Sequence, residues 1–180
     1  MRAASEVFVE RSYTGATVDD VLVRADVSRP TFYRYFDNKF DLALSLIHTL
    51  GPQSLAPYAT FVASGDSSER AVRALIGEVM EFYHAHAPLV QVMTEIAAIH
   101  PQYMDEIHTA FGEVARELAR LLPAFQQSAR GAKARATGAR LVLNQIAITC
   151  QLTATSAGRF DRAAAIELLT TQFLAFCNPE

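Results

Sequence analysis

Apolar residues along the 180-residue chain recur three and four positions apart almost throughout, which is helical spacing, and no segment alternates convincingly like a strand. In residues 1–12, Ala4, Val7 and Phe8 form one stripe, with Glu6 and Glu10 away from it. TVDDVLVRA follows, with Thr17 and Asp20 at capping-box spacing: the hydroxyl accepts from a first-turn N–H and the carboxylate reaches back to the cap. ADVS reads as a tight turn in which Asp26 tolerates a left-handed backbone. Ser28 then caps the next helix, and Pro30 sits in its first turn, where backbone N–H groups lack intrahelical partners anyway. Asn38 and Asp41 repeat the cap at the head of NKFDLALSLIHTL, which Gly51-Pro52 ends.

From Ser68, the positions Val72, Leu75, Ile76, Val79, Phe82 and Tyr83 mark a long amphipathic helix ending before Pro88. Pro88 starts a short helix to about Ile99. Another begins near Pro101, its apolar face running from Met104 through Ile107, Phe111, Val114 and Leu118 to Leu121. QQSARGAKARATGAR has four cations and no acid and reads as a solvated loop entering a helix. LVLNQIAITCQL is apolar on nearly every face, which calls for burial from more than one side. Ile166, Leu169, Phe173 and Phe176 give a last amphipathic helix. The expectation is an all-α chain of about nine helices.

Composition narrows the function. The chain is 51% hydrophobic and 19% charged with a net charge of −3, which argues against indiscriminate nucleic-acid binding, so any DNA contact depends on local placement of charge. Cys150 and Cys177 lie in apolar helical surroundings and read as reduced thiols of a cytoplasmic protein. No apolar run approaches the ~20 residues of a membrane span, and no signal-peptide pattern opens the chain. There is no glycine-rich phosphate loop, no GxSxG and no paired carboxylates in an apolar setting, so neither an enzyme nor a cofactor is expected. His84 and His86 fall on different faces of one helix, and His100 and His108 have no HExxH or cysteine cluster beside them, so no metal site is expected.

SRPTFYRYF, residues 28–36, carries the chemistry. Residues 18–36 read as helix, short turn, helix. Phe32 and Phe36, four apart, anchor the second helix to a core and turn Arg29, Thr31, Tyr33 and Arg34 outward. Arginine can fork onto guanine, threonine can pack its methyl on thymine, and the Tyr33 and Tyr35 hydroxyls can donate to phosphates. Lys39 places a cation beside first-turn N–H groups, and Thr17 offers a similar helix terminus on the other flank. Residues 1–50, with ERSYTGATVDDVLVRADVSRPTFYRYFDNKFDL, resemble the N-terminal DNA-binding domain of the TetR family of transcriptional regulators. The resemblance implies that Arg29, Pro30 and Thr31 meet bases, that Thr17, Tyr33, Tyr35 and Lys39 hold phosphates, and that Arg34 lies between groove and solvent. Glycine is usual in the family where Ser12 and Asp26 stand here. Six cations against seven acids in residues 1–50 give this head a net charge of −1, so its DNA affinity is expected to be salt-sensitive.

Two domains are expected: a helix-turn-helix head over 1–50 and a helical effector-binding and dimerisation domain over 51–180. One recognition helix covers few base pairs, so a homodimer on a palindromic double-stranded operator is expected. Its interface falls to the helices around Leu141–Leu152 and Ile166–Phe176, as the resemblance also implies. Phe82, Met93 and Phe111, with Asn144 and Gln145 as polar fixing points, are candidates to line a pocket for a small apolar effector. Effector binding would tilt the helix from Asn38 to Leu50 and release the DNA, making the chain a ligand-responsive repressor. The alternative is a helical ligand- or protein-binding dimer with weak or lost DNA binding.

Overall fold

The computed structural model describes residues 1–129, 133–156 and 158–178, with the side chains of residues 128 and 129 left aside. Among them there are eleven helices and no strand. They are α1 (Arg2–Gly15), α2 (Val18–Ala25), α3 (Arg29–Tyr33), α4 (Lys39–His48), α5 (Gly51–Ser64), α6 (Glu69–Ala85), α7 (Ala87–Ile99), α8 (Tyr103–Leu118), α9 (Pro123–Ala129), α10 (Lys133–Thr155) and α11 (Arg162–Cys177). Two more form than the apolar spacing suggested. α5 starts across Gly51-Pro52, because proline is as acceptable in a first turn as it is disruptive later. α9 starts on Pro123 and takes in QQSA, and α10 takes in KARATGAR, of the stretch that read as a loop entering a helix; residues 130–132 of that stretch lie outside the described residues.

The chain divides into two compact units, Met1–Pro52 with Pro88–Met104, and Gln53–Ala87 with Asp105–Glu180. In the first, α1 packs on α2 and α4, burying Ala4, Val7, Phe8, Leu22, Leu42 and Leu46. All three expected N-caps form. Thr17 and Asp20 close a capping box, Ser28 Oγ accepts from Thr31 N–H, and Asn38 accepts from Asp41 N–H. Ser12 and Asp26 are the two non-glycine residues with positive φ among those described. These are the positions where glycine is usual in the resembled family. Asp26 at φ 52°, ψ 51° is a left-handed helix cap that a short polar residue tolerates.

Ser12, at φ 61°, ψ 163°, occupies a region that essentially only glycine visits, and it kinks α1. Such strain costs on the order of 1–3 kcal/mol. Ser12→Gly gives up about 0.5–1 kcal/mol of backbone entropy, and the serine's hydrogen bonds to Thr14 and Gly15 are exposed enough for water to replace. The expected result is a net gain of about 1 kcal/mol, read as a melting temperature higher by roughly 2–4 °C. A lower melting temperature would mean that the Ser12 side-chain bonds outweigh the strain.

In the second unit α6 lies against α10 and α11, and α9 against the same pair, around Ile76, Met80, Leu118, Phe125, Ile146 and Phe173. A Cβ on Gly138 would stand 2.8 Å from the Phe176 ring, so glycine permits the close approach of α10 to α11 there. Arg162 ties the start of α11 to Glu81 of α6 at 2.7 Å. Both cysteines are free: burial pushes the Cys150 thiol up to about 12 and that of half-buried Cys177 up to about 11, so neither is a ready nucleophile.

Candidate nucleic-acid interface

α3 owes its position to one ring. Phe32 is buried, with Tyr33 edge-on at 5.2 Å and half-buried Phe36 at 5.5 Å. Burying Phe32 turns the rest of the segment to solvent: Arg29, Pro30, Tyr33, Arg34 and Tyr35 are exposed and Thr31 half-exposed. Thr31 Oγ1 lies 3.0 Å from the Ser28 hydroxyl, and the Arg34 guanidinium stands 4.9 Å over the Tyr35 ring. The five-residue α3 and the two residues after it therefore expose two cations, two phenols and a threonine.

Three side chains are less free than their types suggested. Arg29 Nη2 donates to Asp19 of α2 at 2.5 Å. The Thr17 hydroxyl accepts from Asp20 N–H and donates to Asp20 Oδ2 at 2.7 Å, completing the box that starts α2. Bonds from the Thr17 hydroxyl and N–H hold the Asp20 carboxyl below its ordinary range, with Arg11 at 2.9 Å adding to the effect. A carboxylate held this way stabilises the head above its unfolded pKa, and that contribution is lost as the pH falls through the lowered value.

Lys39 points inward. Its Nζ donates to the carbonyls of Tyr13 at 2.7 Å and Ala16 at 2.8 Å and lies 4.5 Å over the Tyr13 ring. Burial pulls its pKa down, with Glu95 opposing. Lys39 thus caps the end of α1 after the Ser12 kink, leaving its ammonium committed to protein carbonyls in this structure. Glu95 of α7 accepts from Thr14 N–H at 3.0 Å, and His100 bonds the Tyr13 hydroxyl at 2.9 Å while stacking on Phe40 at 4.2 Å. Glu95 of α7 and His100 just after it therefore grip the α1–α2 junction and α4 at once. Sequence reasoning missed these partners because they lie 81 and 87 residues from the groups they hold. The one available signal was a single acid, Glu95, in the otherwise uncharged α7.

Arg2 and Arg24 are paired with acids as well. Arg24 is held by Glu10 at 2.6 Å and Glu6 at 3.3 Å; the Arg24 hydrogen bond in turn lowers the Glu10 carboxyl. Among the described residues no group of three or more His, Cys, Asp or Glu side chains could hold a metal ion. His100, considered above as a ligand, has protein partners on both sides.

The five candidate pocket residues do not converge on one described cavity. The Phe82 ring lies tilted against His86 at 4.5 Å, and half-buried Phe111 packs on the core of the second unit. Asn144 and Gln145 are exposed, because α10 buries Leu143, Ile146 and Cys150 and turns the opposite face outward. Met93 is half-buried on α7, which belongs to the first unit. A separate cleft of about 420 Å³ in the second unit is lined by Pro57, Thr60, Phe61, Arg70 and Glu78 among others, and by none of the five.

Residues 1–46 match the family model of the bacterial regulatory proteins, tetR family. The head, about a quarter of the chain, is thus similar to the DNA-binding domain of that family. Forty-five residues are 47% identical to the HTH-type transcriptional activator FasR of Mycolicibacterium smegmatis, covering 25% of this chain and 20% of FasR. A longer match, 106 residues at 27% identity with the HTH-type transcriptional regulator EthR of the same organism, covers 58% of this chain and 49% of EthR. The matched stretches thus span a fifth and about half of these relatives. Across the whole chain the fold matches the transcriptional regulator FadR of Bacillus subtilis, solved with stearoyl-CoA, at a TM-score of 0.64 and 16% identity, over 99% of this chain and 96% of FadR.

Proposed function

We propose that this chain is a TetR-family transcriptional repressor, responsive to a ligand, that binds a palindromic operator as a homodimer. The observation that carries the reading is the exposed face of α3, where Arg29, Thr31, Tyr33 and Tyr35 stand clear of buried Phe32. In this reading Arg29, Pro30 and Thr31 meet base edges, while Tyr33, Tyr35, Arg34 and Thr17 hold backbone. Lys39 adds a phosphate contact if its ammonium leaves the two carbonyls it now caps. Cytoplasmic placement follows from a DNA target, and no helix among the described residues is long and apolar enough to cross a membrane.

The effector is read as a small apolar molecule. FadR, of similar fold, was solved with stearoyl-CoA, which supports an apolar effector, and the aromatic residues Phe82 and Phe111 suit such a ligand. Glu95 and His100 make α7 a handle on the head: a ligand that displaces α7 drags the α1–α2 junction and Phe40 of α4 with it. A few kcal/mol of differential affinity between two states suffices for release. Repression is the simpler outcome, since a bound dimer obstructs its site until the effector removes it; a reporter assay decides the sign, FasR being named an activator.

The second reading, a helical binding dimer with weak DNA affinity, is favoured by the pairing of Arg11, Arg24 and Arg29 with acids of the head. Fluorescence anisotropy with DNA from the gene's own upstream region, at two salt concentrations, separates the two. Tight, salt-dependent binding that Arg29→Ala weakens by about 5-fold to 150-fold is the operator result, the loss typical of one bidentate base contact. Equal, weak binding by wild type and by an Arg29→Ala/Tyr33→Phe variant leaves only the second reading.

A further inference from the structure

Two acids open α2, and only one has a structural task there. Asp20 completes the capping box with Thr17 and pairs with Arg11. Asp19 takes no part in the box. Its side chain, more than half exposed, leaves α2 and meets the guanidinium of Arg29, the first residue of α3. A carboxylate on a surface that approaches phosphates costs affinity through like-charge repulsion, so favourable placement at a helix N-terminus is a weak reason for it to face this way.

We propose that Asp19 and Arg29 act as one base-reading unit, with Asp19 as the residue that sets its specificity. The inference rests on the operator-binding reading above. The single hydrogen bond from Nη2 to Asp19 fixes the plane and direction of a side chain that otherwise samples many rotamers. It leaves the second Nη2 hydrogen and both Nη1 hydrogens free, the end-on fork that fits guanine O6 and N7. The carboxylate has a second oxygen, which only accepts. It suits the exocyclic amine of cytosine or adenine beside that guanine and repels the bare acceptors of guanine O6 and thymine O4. Asp19 thus lowers affinity for DNA in general and raises the penalty for a wrong base, a device that builds specificity from repulsion.

The same pair also separates two kinds of head cation. Arg24, gripped by Glu6 and Glu10, has both terminal nitrogens engaged, whereas Arg29 is engaged through one. Only the second arrangement keeps a fork available to a ligand without breaking the ion pair.

The test is selection from a randomised double-stranded DNA library with the full chain, run in parallel on wild type, Asp19→Ala, Asp19→Asn and Arg29→Ala. Anisotropy on the enriched sequences and on a scrambled duplex then gives affinities. Wild type is expected to enrich half-sites with a guanine that Arg29→Ala no longer prefers. Asp19→Ala is expected to bind the scrambled duplex about 2-fold to 5-fold more tightly, while its preference for that guanine and for the neighbouring base falls by about 5-fold or more. Asp19→Asn keeps an acceptor for Arg29 without the charge, so it should retain most of the guanine preference yet share the gain on scrambled DNA. Unchanged base preferences in Asp19→Ala, with only a uniform rise in affinity, would reduce Asp19 to a surface charge and overturn the proposal. Unchanged preferences in Arg29→Ala would overturn it as well. Failure of wild type to enrich any motif would instead sink the operator reading itself, and this inference with it.

Discussion

Phe32→Ala should unfold the DNA-reading end of the head while leaving the second unit folded. α3 has five residues, far below the ~12–15 at which an isolated helix becomes even marginal, so its shape is imposed by packing. Phe32 is the one buried side chain of that helix, and the rings of Tyr33 and Phe36 rest on it. Removing a buried phenylalanine costs roughly 3–5 kcal/mol. At about 0.05–0.15 kcal/mol per residue, a unit of this size holds only some 3–10 kcal/mol in total, so one substitution removes much or all of it. Hydrogen exchange should show lost protection across α2 to α4 and retained protection in α6, α10 and α11, with melting split into two transitions. Tyr33→Phe, which alters only an exposed hydroxyl, should melt like wild type. If Phe32→Ala also melted like wild type with full protection in α3, this ring would not be the anchor.

The sequence announces α3 and its caps because each cap is a contact between residues three apart. Thr17 with Asp20, Ser28 with Thr31 and Asn38 with Asp41 need no knowledge of the rest of the chain. The same holds for the two left-handed positions: Ser12 and Asp26 stand where a glycine pattern leads one to look. What could not be read is what the cations do. Lys39 and Arg29 have similar surroundings in sequence, yet one turns inward to carbonyls of α1 and the other outward to Asp19. That choice depends on where α1 ends, which a kink at Ser12 decides. The grip of α7 on the head was hidden for the same reason, since Thr14 and Tyr13 meet Glu95 and His100 only after the chain has passed through five intervening helices. The candidate pocket was least legible, because an aromatic on a helical stripe looks the same whether it lines a cavity or fills a core. Asn144 and Gln145 illustrate this: chosen as polar fixing points, they share the outward face of α10 with Leu141 and Ile148.

That face carries the second large effect. Leu141 is 63% exposed, Ile148 47% and Leu152 38% on α10, and Leu168 is 63% exposed on the adjoining α11. On α10 the spacing of 7 and then 4 keeps the three on one stripe, opposite the buried Leu143, Ile146 and Cys150. An apolar stripe across two packed helices suits a second copy of this chain related by a twofold axis, in which each side chain is buried twice. An Ile148→Glu/Leu168→Glu variant would place four carboxylates in such an interface, each stripped of water without a cation to meet it. Sedimentation should therefore show wild type at twice the 19.8 kDa of one chain and the variant at 19.8 kDa, with unchanged helical content because neither residue belongs to the monomer core. Operator affinity should fall further than any single base contact explains, by about 10²-fold to 10⁴-fold. The two heads then no longer share one effective concentration on the paired half-sites. A variant that stayed dimeric would place the interface elsewhere on the chain, and a wild type that was monomeric at the concentrations used for DNA binding would remove the twofold from the operator reading altogether.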